Sequence, residues 1–301
     1  MHKICVLSAL TVSVLSLGLV ACSIDVHGEG VVTREEKRFT VGGQPELSLR
    51  TFDGSIQLKS WDRNEVLVEI ERRGPDQQSA EALVVNASQE GNRVVVDAPE
   101  PRNRREVIHL GPWQGSSVSL IVTAPRKTNV EARTGDGSIS ADDLAGTVGL
   151  HSGDGSIRAS GVEGNLQART GDGSIAISNA AGRVEADSGD GSIELGGRFE
   201  ALDIRTGDGS VRLDIFDGSV LKTEWSVNTG DGSISLRLPR NFDAELDAHT
   251  GDGGVHGDGL PVAAERDNDD EQNRNSLRTQ LGKGGRTLRL RTGDGSINIS
   301  R

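Results

Sequence analysis

A chain of 301 residues with 40 glycines, no tyrosine and only 3% aromatic residues must build its core from Val, Ile, Leu, Ala and Thr. That suits thin, layered β structure better than a thick globular core. The net charge of −12, with no basic stripe, argues against nucleic acid as a partner and against electrostatic docking on anionic lipid.

Residues 1–21 read as a secretory signal peptide: Met1-His2-Lys3, an apolar run from Ile4 to Val20, then small residues ahead of a cysteine. Ser8, Ser13, Ser16 and Gly18 interrupt the run, and its length stands at the lower limit for a membrane span. Leu19-Val20-Ala21-Cys22 resembles the bacterial lipobox. The resemblance implies that Cys22 becomes the lipidated first residue of the mature chain; a membrane-spanning anchor and a plain secreted protein are the alternatives. Ser23, in place of an Asp, leans toward the outer membrane. Cys5 is the other cysteine, so the body carries no disulfide and no thiolate metal site.

Residues 22–38, with Arg34-Glu-Glu-Lys-Arg38, are expected to form a lipidated tether. Residues 39–127 read as irregular β structure, an N-terminal part or cap. Leu47–Thr51 and Val66–Ile70 alternate, Gln77–Leu83 suits a short helix, and Ala87–Ala98 suits a hairpin turning at Glu90-Gly91-Asn92. Residues 99–115 read as a loop.

From 128 to 301 one phrase, Thr/Ser-Gly-Asp-Gly-Ser-Ile or -Val, dominates. It starts at Thr134, Ser152, Thr170, Ser188 and Thr206, 18 residues apart, and returns at Thr229, in altered form at Thr250, and at Thr292. A looser copy spans Thr51–Ile56. Such a period predicts stacked units that cannot bury a core alone. Before each turn the inward residues alternate, as Val130, Ala132, Thr134 and Val148, Leu150, Ser152; after it come Ile139, Ile157, Ile175 and Ile193. The expected fold is all-β: a single elongated parallel β-solenoid (β-helix) with two short strands per 18-residue rung. The widest spacing, 42 residues between Thr250 and Thr292, is read as one degenerate rung plus a polar loop at 264–276. Trp225 is expected to fill core where a rung widens.

The turn glycines Gly135, Gly137, Gly153, Gly155, Gly171, Gly173, Gly189, Gly191, Gly207 and Gly209 are expected to supply positive φ. The Asp between them is expected to bond its own backbone. Stacking would set Asp136, Asp154, Asp172, Asp190 and Asp208 in a column, with neighbours repelling by roughly 1 kcal/mol. Arg133, Arg169, Arg205 and Arg291 could offset this, or a bound Ca²⁺. The spacing does not match the calcium β-roll motif, where Asp and the apolar residue stand closer, so calcium is the lesser reading and no other cofactor is expected. His249 and His256 bracket Asp252, a weak metal signal. No catalytic triad, phosphate loop or zinc spacing points to an enzyme, and Gly135-Asp136-Gly137 opens no helix.

Three segments carry a family resemblance: Leu47–Ile56 followed by Trp61–Val66, Ser119–Pro125, and Gly282–Ile297. They resemble the opening, middle strand and closing repeat of a bacterial domain-of-unknown-function family labelled "putative adhesin". The resemblance runs from about Phe39 to Arg301 and implies a β-solenoid exposed at the cell envelope, without catalytic residues. The resulting expectation is a non-enzymatic, extracytoplasmic lipoprotein at the outer membrane or cell surface, acting in surface contact or scaffolding. Its partners would be the membrane, through the lipid, and an envelope protein or polysaccharide. Two alternatives stand beside it: a self-assembling polymer, grown from an open edge at Ile297–Arg301, and an envelope-stress sensing or ligand-binding module.

Overall fold

The computed structural model describes residues 22–27, 30–101, 115–260 and 275–301. The signal segment with Cys5, and most of the polar loop at 264–276, lie outside the described residues.

Alternation of apolar and polar residues makes nearly every element a strand. The N-terminal part comprises β1 (Cys22–His27), β2 (Gly30–Thr40), β3 (Glu46–Thr51), β4 (Ile56–Trp61) and β5 (Glu65–Gly74). Helix α1 (Gln77–Glu81) follows, opened by Asp76, whose Oδ1 accepts from the Ser79 N–H at 2.7 Å. Then come β6 (Asn86–Glu90), β7 (Arg93–Ala98) and β8 (Ser117–Pro125). The regular array holds β9 (Asn129–Thr134), β10 (Ile139–Asp142), β11 (Ala145–Ser152), β12 (Ile157–Ser160), β13 (Glu163–Thr170) and β14 (Ile175–Ser188). It continues through β15 (Ile193–Thr206), β16 (Val211–Ile215), β17 (Trp225–Thr229) and β18 (Ile234–Arg237). The last five are β19 (Ala244–Thr250), β20 (Val255–Gly257), β21 (Ser276–Leu281), β22 (Thr287–Thr292) and β23 (Ile297–Ser300).

The fold is all-β, and its inner part is two parallel strand stacks. The first, before each Gly-Asp-Gly turn, runs β7, β3, β9, β11, β13, β14, β15, β17, β22, β19. The second, after each turn, runs β8, β4, β10, β12, β14, β15, β16, β18, β23, β20. Strands β14 and β15 are long enough to serve both. The register is that of the repeat: Ile139 pairs with Ile157, Ile157 with Ile175, and Ile175 with Ile193. Inward side chains of both stacks form one buried cluster, from Leu47 and Leu49 to Ile297 and Ile299. Trp225 is fully buried between Phe199 and Phe242.

The ends depart from the expected uniform solenoid in four ways. First, five pairings are antiparallel, all at the ends: β1–β2, β2–β5, β5–β8, β6–β7 and β19–β21. Second, layers are out of chain order. The rung β3–β4 sits between β7–β8 and β9–β10, and the rung β22–β23 sits between β17–β18 and β19–β20. Third, most of the expected tether at 22–38 is strand. Strand β2 pairs with β5 over ten residues, and its charges are met across the sheet, Arg34 by Glu71 at 2.7 Å and Glu35 by Arg72 at 2.5 Å. Fourth, the strand at Ile297–Ser300 is no open edge, because β18 and β20 flank it. The degenerate rung expected between Thr250 and Thr292 is instead β21, an antiparallel cap on β19. Capping edges with antiparallel or very short strands is a usual defence against edge-to-edge pairing.

Candidate functional site

At the Gly-Asp-Gly turns adjacent layers approach closely. The N–H of Gly153 donates to the Gly135 carbonyl at 2.6 Å, and Gly189 to Gly171 and Gly207 to Gly189 do the same at 2.6 Å. Positive φ, expected of these glycines, is not found at any of the ten. A Cβ on Gly153 would fall 2.6 Å from the Gly135 carbonyl oxygen, and on Gly155 still closer to that of Gly137. Glycine is needed here for close stacking of backbone on backbone. Positive φ is used at the second turn instead, at Gly146, Gly164 and Gly182 and at the neighbouring Asp143 and Asn179.

The turn is fixed by the residue that opens it. Thr134, Ser152, Thr170, Ser188, Thr206 and Thr229 are buried at inward positions otherwise held by apolar side chains. Each hydroxyl donates into the adjacent layer: Ser152 to the Gly137 carbonyl at 2.8 Å, and Thr170 to Gly155, Ser188 to Gly173 and Thr206 to Gly191 at 2.9 Å. In its own turn the Ser152 hydroxyl also accepts from the Gly155 N–H at 2.9 Å. Sequence reasoning assigned this work to Asp; the missed signal was an unbroken Thr/Ser at an inward site. Thr170→Val, which keeps the shape but leaves the Gly155 carbonyl without its donor, should cost about 1–3 kcal/mol. Thr170→Ser should cost far less. Urea midpoints of the two variants check this.

Asp136, Asp154, Asp172, Asp190 and Asp208 are exposed, one per layer. Among the described residues no group of three or more His, Cys, Asp or Glu side chains is placed to hold a metal ion, His249, Asp252 and His256 included. The arginines do not serve the aspartate column. They pair along the outer face of the first stack: Arg133 with Glu131 at 2.8 Å, Arg169 with Glu185 at 2.5 Å, Arg205 with Asp203 at 2.7 Å. Arg291 meets Asp247 at 2.5 Å, and Arg278 meets it at 3.2 Å. Burial raises the Asp247 carboxyl, but the bonds from Arg291 and Arg278 outweigh it and hold it below its ordinary value. Burial likewise pulls His151 below its ordinary value, against the attraction of Glu131 at 3.1 Å. The Arg133 and Arg205 pairs lie within one strand, whereas Arg169–Glu185, His151–Glu131 and Arg291–Asp247 cross between neighbouring strands on the solvent face.

The outer face of the second stack differs. A groove of about 790 Å³ crosses β10, β12, β14, β15, β16, β18, β23 and β20. Eight strands at a spacing of about 4.8 Å give it a span of roughly 34 Å. Its floor is shallow because outward positions in the middle layers carry short side chains: Ser160, Ala176, Ser178 and Gly196. Charged side chains rise around them, Arg158, Glu194 and Arg212 in one column, Asp142, Asp214 and Arg237 in the next. The ion pairs among these are loose and exposed, Arg212–Glu194 at 3.8 Å and Arg237–Asp214 at 3.5 Å, so they hold the charges only weakly. The Phe216 ring is one of few exposed large apolar side chains and stands 3.6 Å from where a Cβ would sit on Gly196.

Cys22 is the first residue of β1. No helix among the described residues is long and apolar enough to cross a membrane.

No curated protein sequence matches the chain. Three solved structures resemble it over most of its length. A "putative cell adhesion protein" from Clostridium sporogenes is 14% identical, with 89% of this chain and 99% of that one covered and a TM-score of 0.27. A "putative adhesin" from Bacteroides fragilis is 11% identical, covering 88% and 96%, with a TM-score of 0.46. A "putative lipid binding protein" from Parabacteroides distasonis is 13% identical, covering 89% and 96%, with a TM-score of 0.44. Likenesses this slight say nothing of function. The family resemblance carried by Leu47–Ile56, Ser119–Pro125 and Gly282–Ile297 is on firmer ground: the model of the Toastrack DUF4097 family matches residues 45–300, and the chain belongs to that family.

Proposed function

We propose that this chain is a non-enzymatic protein of the cell envelope, held outside the cytoplasm by a lipid on Cys22. It would work by surface contact, in adhesion or scaffolding, through the outer faces of a solenoid-like β body. The observation that carries this reading is the groove on the second stack: a solvent-open surface crossing eight layers, on a frame whose core and turns are locked layer to layer. Such a frame presents many weak contacts in fixed positions, which suits an extended partner better than a small molecule, whose sites are enclosed. The same groove supports the ligand-binding module as a second reading.

The anchor is tested by Cys22→Ser. Radiolabelled palmitate should enter the wild-type chain and not the variant. The variant should also move from the membrane pellet to the soluble extracytoplasmic fraction, because a polypeptide without its acyl chains loses the several contacts that make anchoring stable. A wild-type chain that takes up no label, or a variant that stays in the pellet, would overturn the anchored reading.

A further inference from the structure

We infer that the groove on the second stack is a binding site for a linear, uncharged glycan lying across the strands. The inference rests on the surface-contact reading and specifies its partner by chemistry.

Length and repetition favour a linear polymer. The groove crosses eight layers in which the same two outward columns recur at every step of the stack. The side chains at those positions differ from layer to layer, Arg158, Ala176, Glu194 and Arg212 in one column, so it is the length of the groove and the even step between layers that suit an extended partner.

Backbone chemistry disfavours an extended peptide. Peptides that add to a sheet gain affinity from main-chain hydrogen bonds at an open edge. Here every strand under the groove except β20, which pairs only with β23 at the end of the stack, is an interior member of a parallel ladder with a paired neighbour on each side. The amides and carbonyls of these interior strands are already used.

Charge pattern disfavours an ionic polymer. Arg158, Arg212 and Arg237 are interspersed with Asp142, Glu194, Asp214 and Asp258, three positive against four negative. A polyanion or a polycation would meet its own sign within one or two layers, and the loose ion pairs are exposed on both partners. Mixed carboxylates and guanidinium groups are nevertheless good partners for hydroxyls, since one accepts and the other donates. Ser160 and Ser178 on the floor do both. The partly exposed Phe216 ring, whose tip stands beside Gly196 at the groove, offers apolar surface against which the C–H face of a sugar ring can rest.

The test uses the purified full-length chain in detergent. It is titrated calorimetrically with neutral linear gluco- and manno-oligosaccharides of increasing length, β-1,4- and β-1,3-linked, with heparin and poly-lysine as charged controls. Binding by at least one neutral series is expected, tightening roughly tenfold or more from the shortest to the longest member. Gly196→Trp should weaken it by about tenfold or more. The glycine has no positive φ, and its outward side meets nothing nearer than the Phe216 ring, so the variant can fold. Phe216→Ala and Arg212→Ala supply independent checks and should each weaken binding several-fold, Arg212→Ala, at an exposed position, without moving the melting temperature. No binding across the neutral series overturns the inference. So does binding indifferent to all three substitutions, or heparin or poly-lysine binding as tightly as the best neutral glycan. Because purified protein is used, such a failure leaves the lipid anchor untouched, and a failed anchor leaves the binding result untouched.

Discussion

Gly173→Ala should destabilise the protein by about 3 kcal/mol, and Gly42→Ala should change it hardly at all. Where the backbone conformation allows it, alanine in place of glycine ordinarily stabilises by about 0.4–1 kcal/mol through the unfolded chain. Neither glycine has positive φ, so both should follow that rule if conformation alone mattered. At Gly42 nothing lies within 4 Å of an added Cβ. At Gly173 the Cβ would fall 2.5 Å from the Gly155 carbonyl carbon and 2.9 Å from the Ser156 nitrogen, and closer still to the Gly155 oxygen. Those are backbone atoms of the neighbouring layer, held by its own ladder, and they cannot rotate aside as a side chain can. The Ser188 hydroxyl bond to the Gly173 carbonyl, 2.9 Å, would be displaced as well. Urea denaturation of the two variants reads the difference directly. A Gly173→Ala midpoint at or above that of the wild type would mean that the layers do not approach as described.

Trp225→Ala should cost about 3–5 kcal/mol, the largest loss expected from any single side chain. The ring is fully buried. It meets Phe199 edge-on at 6.4 Å between centroids and Phe242 at 5.5 Å, and its Nε1–H donates to the Glu200 carbonyl at 3.3 Å. Its neighbours come from separate segments of chain, and Phe199 is held in the β15 ladder, so the space cannot readily be filled. Trp225 also pairs in register with Leu288 of β22, so the damage should spread to the inserted rung β22–β23. Trp225→Phe should recover most of the loss. A thermal melt of the alanine variant within a degree or two of the wild type would show that the three rings do not form one packed centre.

The regular part of the fold was legible because inward side chains repeat with both the strand period and the rung period. Val148 and Ile157 can be assigned to a face from the sequence alone. Order at the ends was not legible. The phrases at Thr229, Thr250 and Thr292 are nearly the same, so the sequence presents interchangeable layers. Which ones touch is decided by the connections and by β21, whose pairing leaves β19 no room for a further parallel strand. Strand β2 was hidden by its charges: Arg34-Glu-Glu-Lys-Arg38 looks like a solvated tether until Glu71 and Arg72 are brought opposite. The glycines were legible as turn residues but for the wrong cause, since contact between layers leaves no trace in the local conformation of one layer. The groove was within reach. Ser160, Ser178 and Gly196 form an 18-residue column of short outward side chains, visible once the rung period is applied to the solvent face as well as to the core.

The insertion of β22–β23 beneath β19–β20 sets the order in which the body can be completed. Residues 244–257 are synthesised before residues 287–300, yet they belong farther out along the stack. The emerging polypeptide must therefore either hold that outer coil apart or let it dock provisionally on β17 and β18 and later give way. A premature stop at about 286 would not trim the tip but excise an interior coil, leaving the outer one to seat in the wrong place. A reporter fused after Arg301 would project from the flank of the molecule, one coil short of its end.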